Sequence, residues 1–577
     1  MYVLVNGAKN NKQVYIIRSF RDQNGKSTSE IFRKLGNVND LLPDFNNDYD
    51  AMMAWAKEEA VKETKAYVAE QQPTVLTFSP KACIIKDQKR SFNAGYLFLQ
   101  KLCTDLRLDN ICRTIRSKHK FKYDLHAILT DLVYARILAP SSKLSCYEYC
   151  SSLLEPPKYS LQDVYRALSV LAEESDYIQA ELYKNSNFVY PRDARTLYYD
   201  CTNYYFEIEI DDDFRRHGKS KENRPNPIVT MGLFMDANGI PLAFDLFPGN
   251  MNEQKTLKQI ETRVIRDFEN SKFIFCSDAG LGSRDNRNLN SMGGRSYIIT
   301  QSLKKLKKED LRVALNPKDF KAPGSEKRID LTTLDENNEE VYNTTFYKEM
   351  PLISGNTTET LIVTYSPKYK AYQRNIRNEQ VERAKKAISN GHKRKGKNQN
   401  DPARFITETA VTPDGEIAKK NVLSLNDEKI LEEEQYDGFY AVVTNLDDNP
   451  EEIVKVNHRR WEIEECFRIM KTEFEARPVY VQREDRIKAH FLTCFTALLV
   501  YRLLEKKLED KYTCAETLET IRNMQLTRIS ENSGYVPSYE RTDLTDELHK
   551  IFGFRTDYEF LSRSTVRSII KDTKKNF

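Results

Sequence analysis

Asp200 lies inside "LYYDCTNYYF", and Asp278 closes the apolar run "FIFCSD". Aspartate is depleted within strands because its short polar side chain favours turns. Taken singly, each residue reads as a strand-end cap. Ligands of open α/β sheets bind beyond the carboxyl ends of strands, so on neighbouring strands both carboxylates would reach one edge. Their mutual repulsion is relieved by a divalent cation. Magnesium takes a few carboxylates plus water and substrate phosphates, and a third carboxylate from a crossing helix would complete a two-ion site for phosphoryl transfer. Glu464, in "RRWEIEECFRIMK", is the candidate. On a continuous helix, Arg460 and Lys471 would stand about 40° and 20° from it, two cations bracketing a carboxylate that an anionic backbone approaches. Ile463, Phe467, Met470 and Phe474 would anchor the opposite side. Alone, the segment reads as a charged surface helix, since such pairs contribute only about 0.2–0.5 kcal/mol. Its combination with two strand-end aspartates marks a site.

The elements that must position these residues follow from periodicity. Residues 191–304 predict three meandering strands, a helix, a strand, a helix and a strand. "NPIVTMGLFMDANGIPLAFDLFPGN" is a strand pair around the turn Asn238-Gly239. Residues 305–446 break that order as a β-rich insertion with a basic helix, and residues 447–507 return to helix around Glu464. Upstream, residues 1–75 predict a β-hairpin turning at Asn24-Gly25, then a helix closed by Pro73. Residues 76–190 are helical, with Ser160 and Asp163 close to a capping box. That bundle fits DNA binding, and equally dimerisation or packing. The last stretch, 508–577, is charged and weakly periodic.

Composition bounds the class. The chain has 577 residues, 40% hydrophobic, 11% aromatic and 30% charged, which reads as soluble, globular and multidomain. No uninterrupted apolar run reaches membrane-span length, and the polar start "MYVLVNGAKNNKQ" is unlike a signal peptide. Ten cysteines without a C-x-x-C predict free, mostly buried thiols, and seven dispersed histidines do not suggest zinc. Net charge is only +4, but residues 368–397 hold eleven Lys/Arg against two Glu. A solvated helix with a basic tail is the plain reading, and a phosphate-tracking arm is the sharper one.

The blocks "YYDCTNYYFE", "CSDAGLGS" and "RRWEIEECFRIMK" resemble the three catalytic blocks of DDE transposases from bacterial insertion sequences, in the insertion-sequence-four superfamily and its sixteen-thirty-four branch. "HGKSKENRP" is similar to the Gly-x-Ser-Lys block and brings Lys219, Ser220 and Lys221 toward DNA. "FPGNMNEQKTL" and "RPVYVQREDRIKAHFLTCFTALLVYRLL" extend the likeness, which runs from about residue 195 to 505. The superfamily signature Y-x2-R-x3-E-x6-K is met by Arg460, Glu464 and Lys471. Its Tyr position holds Asn457, with His458 beside it.

The resemblance implies an RNase H-like mixed-sheet α/β core interrupted by the insertion. Asp200, Asp278 and Glu464 would hold two Mg²⁺, with Mn²⁺ as substitute. Arg460 and Lys471 would hold phosphates, with Asn457 and His458 near the same contact. Trp461 reads as core, with stacking on a displaced base as the alternative. The implied partner is double-stranded DNA, both terminal inverted repeats and target, engaged by a homodimer in the cytoplasm of a bacterium, at the nucleoid. The implied reaction is hydrolysis at each element end followed by attack of the 3′-hydroxyl on target DNA, through a hairpin in relatives. Two other functions fit the same residues: a non-transposing nuclease, and a retired transposase acting as a DNA-binding repressor.

Overall fold

The computed structural model describes the chain apart from residues 9–10, 22–26, 72–74, 76–79, 82, 269, 355–356, 392–399, 412–416, 531–532 and 576–577. It divides into two units, Met1–Gln88 and Lys89–Phe577.

The first unit is a three-stranded antiparallel sheet, β1 (Tyr2–Ala8), β2 (Asn11–Arg21) and β3 (Ser27–Asn37), followed by the helix Tyr49–Gln71. The expected hairpin is β2–β3; its turn at Asn24-Gly25 and the helix stop at Pro73 lie outside the described residues. The added strand β1 pairs with β2 from Tyr2↔Ile17 to Ala8↔Asn11. Val14, Val38, Met52 and Ala56 form the small core between sheet and helix.

The second unit is built on a ten-stranded mixed sheet. Short β4 (Ser91–Asn93) precedes six helices between Tyr96 and Val189 and belongs to a separate small sheet. In the helix Leu161–Glu173, Ser160 and Asp163 make the full reciprocal capping box. Then come β5 (Thr196–Tyr205), β6 (Ile228–Asp236) and β7 (Pro241–Pro248), the helix Glu253–Asp267, β8 (Ile274–Ser277), the helix Arg284–Leu289 and β9 (Ser296–Thr300). Their spatial order is β7-β6-β5-β8-β9, antiparallel through the meander and parallel from β5 to β8 to β9. The order of elements along the chain is the one read from periodicity; their spatial order is supplied by the structure, and its parallel steps need the helical crossovers that the sequence supplies.

The strands of residues 305–446 do not all form a body of their own. β10 (Phe320–Lys321), β11 (Arg328–Ile329), β12 (Phe346–Ser354) and β13 (Thr357–Tyr365) continue the same sheet through β16 (Phe439–Thr444), which pairs with β9. Among the described residues, β14 (Ile406–Val411) and β15 (Ile417–Leu425) pair separately. The basic helix Pro367–Ser389 is partly structural, because Arg377 is buried on Asp437 at 2.6 Å. The basic tail at residues 392–399 lies outside the described residues.

Alternation along the central strands divides the sheet into two faces. Leu197, Tyr199, Cys201 and Phe275 pack with Leu257, Ile260 and Val264. Tyr198, Tyr204 and Cys276 face the other way, with the Glu464 region and the helix Glu484–Lys507. That helix is long and apolar enough to cross a membrane by length and composition, yet 94% of its most apolar window is buried inside the protein. It is the central strut, with Leu161–Glu173, Leu125–Leu138 and Tyr96–Asp105 packed around it, so these helices spend their apolar faces on packing. The chain end returns to the same body. β17 (Gln525–Arg528), β18 (Gly534–Pro537) and β19 (Leu561–Ser562) form a four-stranded sheet with β4.

Candidate active site

Parallel register brings the two aspartates together. Tyr198 stands opposite Cys276, and two residues further along each chain come Asp200 and Asp278. Side chains two apart share a face, so both carboxylates lie on the face that carries the Glu464 helix. Asp200 has a 13% exposed side chain and accepts the Cys201 N–H at 2.8 Å. Burial pushes it up to about 6; Asp278 adds to the rise, while Lys221, the Cys201 N–H and Arg460 oppose it. Asp278 lies one residue past β8, where its Oδ1 accepts the N–H of Gly280 at 2.9 Å and of Leu281 at 3.3 Å.

The Glu464 segment is not one continuous helix. The helix Pro450–His458 ends, a new helix runs Trp461–Arg468, and Ile469–Glu473 forms a π turn. The Phe474 N–H bonds to Ile469 O at 3.0 Å, an i→i+5 spacing. Arg136, fully within the bundle, donates to Phe474 O at 3.0 Å, and Arg522 donates to Glu473 O at 2.9 Å. These cations satisfy the carbonyls at the segment's end. Ile463, Phe467, Met470 and Phe474 are buried as expected, each worth about 1.5–3 kcal/mol of apolar burial.

The widened turn changes where the flanking cations go. Arg460 reaches Glu464 at 3.5 Å, whereas Lys471 pairs with Glu222 at 3.3 Å. Glu464 is the most exposed of the three acids, with a 61% exposed side chain. Burial works against the Arg460 charge, yet Tyr440, Glu464, Asp278 and Asp200, in that order, hold it above the usual arginine range. One guanidinium therefore senses all three carboxylates. Its Nε and the Oδ1 of Asn457 are buried without a hydrogen-bond partner among the described residues. Burial, then Lys221, push Lys471 down to about 8 against the pull of Asp200.

The remaining expected residues separate. Lys219, Ser220 and Lys221 lie on the loop between β5 and β6. Lys221 donates to Cys201 O and stands 4.0 Å from Asp200 and 3.5 Å from Glu253. Ser220 Oγ accepts the N–H groups of Glu222 and Arg224, both at 3.2 Å, while Lys219 is exposed. Asn457 is buried and donates to Tyr440 at 3.1 Å, so an open DNA contact by Asn457 is corrected to an internal tie. His458 is exposed. Trp461, read first as core, is 58% exposed beside Arg460, because Glu462 and Ile463 take the inward positions. Sequence reasoning missed Asn203, which bridges β5 to the loop by accepting the Lys221 N–H at 3.0 Å and donating to Lys219 O at 3.1 Å. Asn203 follows Asp200 by three residues inside the quoted block, a polar residue in a strand and thus the same anomaly.

Asp200, Asp278 and Glu464 are carboxylates of the kind a hard divalent cation takes and are linked through Arg460, but their oxygens are not gathered to mutual ligand distance here; among the described residues Asp546, His549 and Asp557 are. The structure moves Asp200 from the expected strand end to the middle of β5, where it pairs with Leu233, and leaves Asp278 just past β8. The chain belongs to the family described as the transposase DDE domain, whose model matches residues 208–500. It is thus a DNA-cutting and DNA-joining enzyme of a family that generally uses divalent metals. The matched span contains Asp278 and Glu464 and begins shortly after Asp200. No curated protein matches the chain. Among solved structures, a piggyBac transposase synaptic complex with hairpin DNA is similar at TM-score 0.33 and 9% identity, covering 84% of each chain.

Proposed function

We propose that this protein is the transposase of a bacterial insertion sequence of the insertion-sequence-four superfamily, sixteen-thirty-four-like branch, with an RNase H-like core. It binds terminal inverted repeats as a homodimer, acts on nucleoid DNA in the cytoplasm, cleaves the element ends and joins their 3′-hydroxyls to target DNA. The observation that carries the reading is the in-register pair Asp200 and Asp278 on the sheet face of the Glu464 helix.

Asp200, Asp278 and Glu464 would hold Mg²⁺, with Mn²⁺ as substitute. Bound there, the ions would activate the attacking oxygen and stabilise the leaving one. The chain's own residues do the rest. Arg460 holds Glu464 and is held by the charges of both aspartates, so it keeps the acids aligned. Lys221 tempers the charge of Asp200 and Glu253, and Lys471 lies against the same edge. Positioning and charge are what phosphoryl transfer asks of a protein. Exposed Trp461 offers a stacking face for an unpaired base.

The test is cleavage and strand transfer on DNA carrying the element's ends, with Mg²⁺ and with chelator. Wild type should cut and join; Asp200→Asn, Asp278→Asn and Glu464→Gln should each lose at least about 100-fold. Cutting without joining would instead favour the non-transposing nuclease. Binding without metal-dependent cutting would favour the repressor.

A further inference from the structure

Glu222 is a carboxylate with no task in the chemistry above, and three cations converge on it. Lys471 Nζ stands 3.3 Å from its Oε1. The Arg477 guanidinium pairs with Oε2, and Arg224 Nε stands 3.9 Å from the same oxygen. The floor beneath them is aromatic. Lys471 lies 5.4 Å from the Tyr204 ring centroid. The Tyr205 ring takes Arg224 at 4.1 Å and Arg477 at 5.6 Å. Lys471, Arg477 and Glu222 are mostly withdrawn from water, with side chains 15%, 22% and 24% exposed.

A carboxylate needs one good cation, and a bidentate arginine satisfies both of its oxygens. Here three cations share one acid, so the cluster keeps excess positive charge in a partly desolvated place where like charges repel. Such an arrangement is stable when an anion larger and more strongly coordinated than a carboxylate completes it. A phosphodiester spreads one negative charge over two oxygens, as a carboxylate does, and continues along a chain of further phosphates, each with its own charge. The preceding residue, Lys221, faces Asp200 and Glu253, so the cluster adjoins the acidic edge where the scissile bond must lie. The loop is held in this pose from β5 through Asn203.

We propose that Arg224, Lys471 and Arg477 form a cradle for a DNA backbone phosphate next to the carboxylate site, and that Glu222 fills it from within until a phosphate displaces it. The cradle's ligand rests on the DNA-cleaving function proposed above. Lys471 is then one of three phosphate ligands, and Glu222 is an internal competitor that lowers DNA affinity.

The test uses the full chain, without divalent metal, as wild type, Glu222→Gln and Arg477→Gln. Two probes are applied: inorganic phosphate, read by thermal shift, and a duplex oligonucleotide, read by fluorescence anisotropy over a salt series. Glu222→Gln should bind the duplex about fivefold tighter and gain a larger phosphate-dependent rise in Tm than wild type. Arg477→Gln should bind the duplex more weakly, with a salt slope reduced by about 0.9 for one lost phosphate contact, and should lose the phosphate response. Duplex affinity that is unchanged or weaker in Glu222→Gln, with no added phosphate response, would overturn the cradle and leave the DNA function intact. A phosphate response in Glu222→Gln with no duplex binding by any of the three would support the anion cradle and overturn the DNA function.

Discussion

Asp200, within β5, and Asp278, one residue past β8, each lie two residues beyond the parallel pair Tyr198↔Cys276. Neighbouring strands lie about 4.8 Å apart, so the two carboxylates share one edge, and burial with Asp278 holds Asp200 up to about 6. A divalent ion should relieve that tension. Mn²⁺ at a hundredfold excess over its Kd should stabilise the wild type by about 2–3 kcal/mol, read as a rise in Tm that chelator reverses. Asp200→Asn and Asp278→Asn should lose the response, and Asp200→Asn without metal should be at least as stable as wild type, since it removes a desolvated charge. A Tm that Mn²⁺ leaves unmoved in the wild type would sink the metal assignment.

Gly239 seats the Glu464 helix. It has φ +76°, and a Cβ there would run into the Glu462 carboxylate and the Arg502 guanidinium. Arg502 donates to Gly239 O at 2.7 Å and to Glu462 Oε2 at 3.0 Å, all three buried together. Gly239→Ala should cost about 2–4 kcal/mol, through positive-φ strain and a disrupted buried ion pair. Asn238→Ala, at the half-buried other residue of the same turn, should cost under about 1 kcal/mol, the loss of its hydrogen bond to Pro191 O. Comparing the two variants' Tm checks this; equal losses would place the cost in the turn, not in the Glu462–Arg502 contact.

The two aspartates were legible because Asp200 breaks the apolar composition of β5 and Asp278 abruptly closes the apolar run of β8; that Asp200 would lie mid-strand and not at its end was not. The order of β5–β9 along the chain was legible because each element has its own period and turn. The break at residues 459–460 and the π turn at Ile469–Glu473 were not legible, for no Gly or Pro marks them. Distant cations hold the end of the π turn: Arg136 and Arg522 donate to the carbonyls of Phe474 and Glu473. The pairing of β4 with β17, more than 400 residues apart, likewise leaves no local period. The ring of cations on Glu222 was hidden for the same reason, since Arg224, Lys471 and Arg477 meet only in the fold.

Asp131 makes stability depend on pH. Burial pushes its carboxyl from 3.8 up to about 7, while the Tyr159 hydroxyl, donating at 2.6 Å, opposes the rise. Between about pH 4 and pH 7 the folded protein holds a proton that the unfolded chain has lost. Its contribution is therefore full below the unfolded pKa and falls away as pH rises through about 7. Asp131→Asn keeps an acceptor for Tyr159 and should flatten this part of the profile, leaving the variant about 1–3 kcal/mol more stable than wild type at pH 8. Unfolding curves of both proteins across this range check it, and parallel profiles would contradict it.

Asn203 tests whether the loop's pose matters apart from overall stability. Its side chain bonds to Lys219 O at 3.1 Å and to the Lys221 N–H at 3.0 Å, and it is buried at the end of β5. Asn203→Ala removes both ties, at about 1–2 kcal/mol, without altering any carboxylate. The loop then loses the anchor that sets Lys221 beside Asp200 and Glu222 among its cations. Trypsin should cut sooner after Lys219 and Lys221, while Tm falls only slightly. DNA cleavage should drop about tenfold or more, because small misplacements of positioning groups are costly in phosphoryl transfer. Unchanged trypsin sensitivity together with unchanged cleavage would show that the loop holds its pose through Ser220 and the Arg216–Ile228 bridge instead.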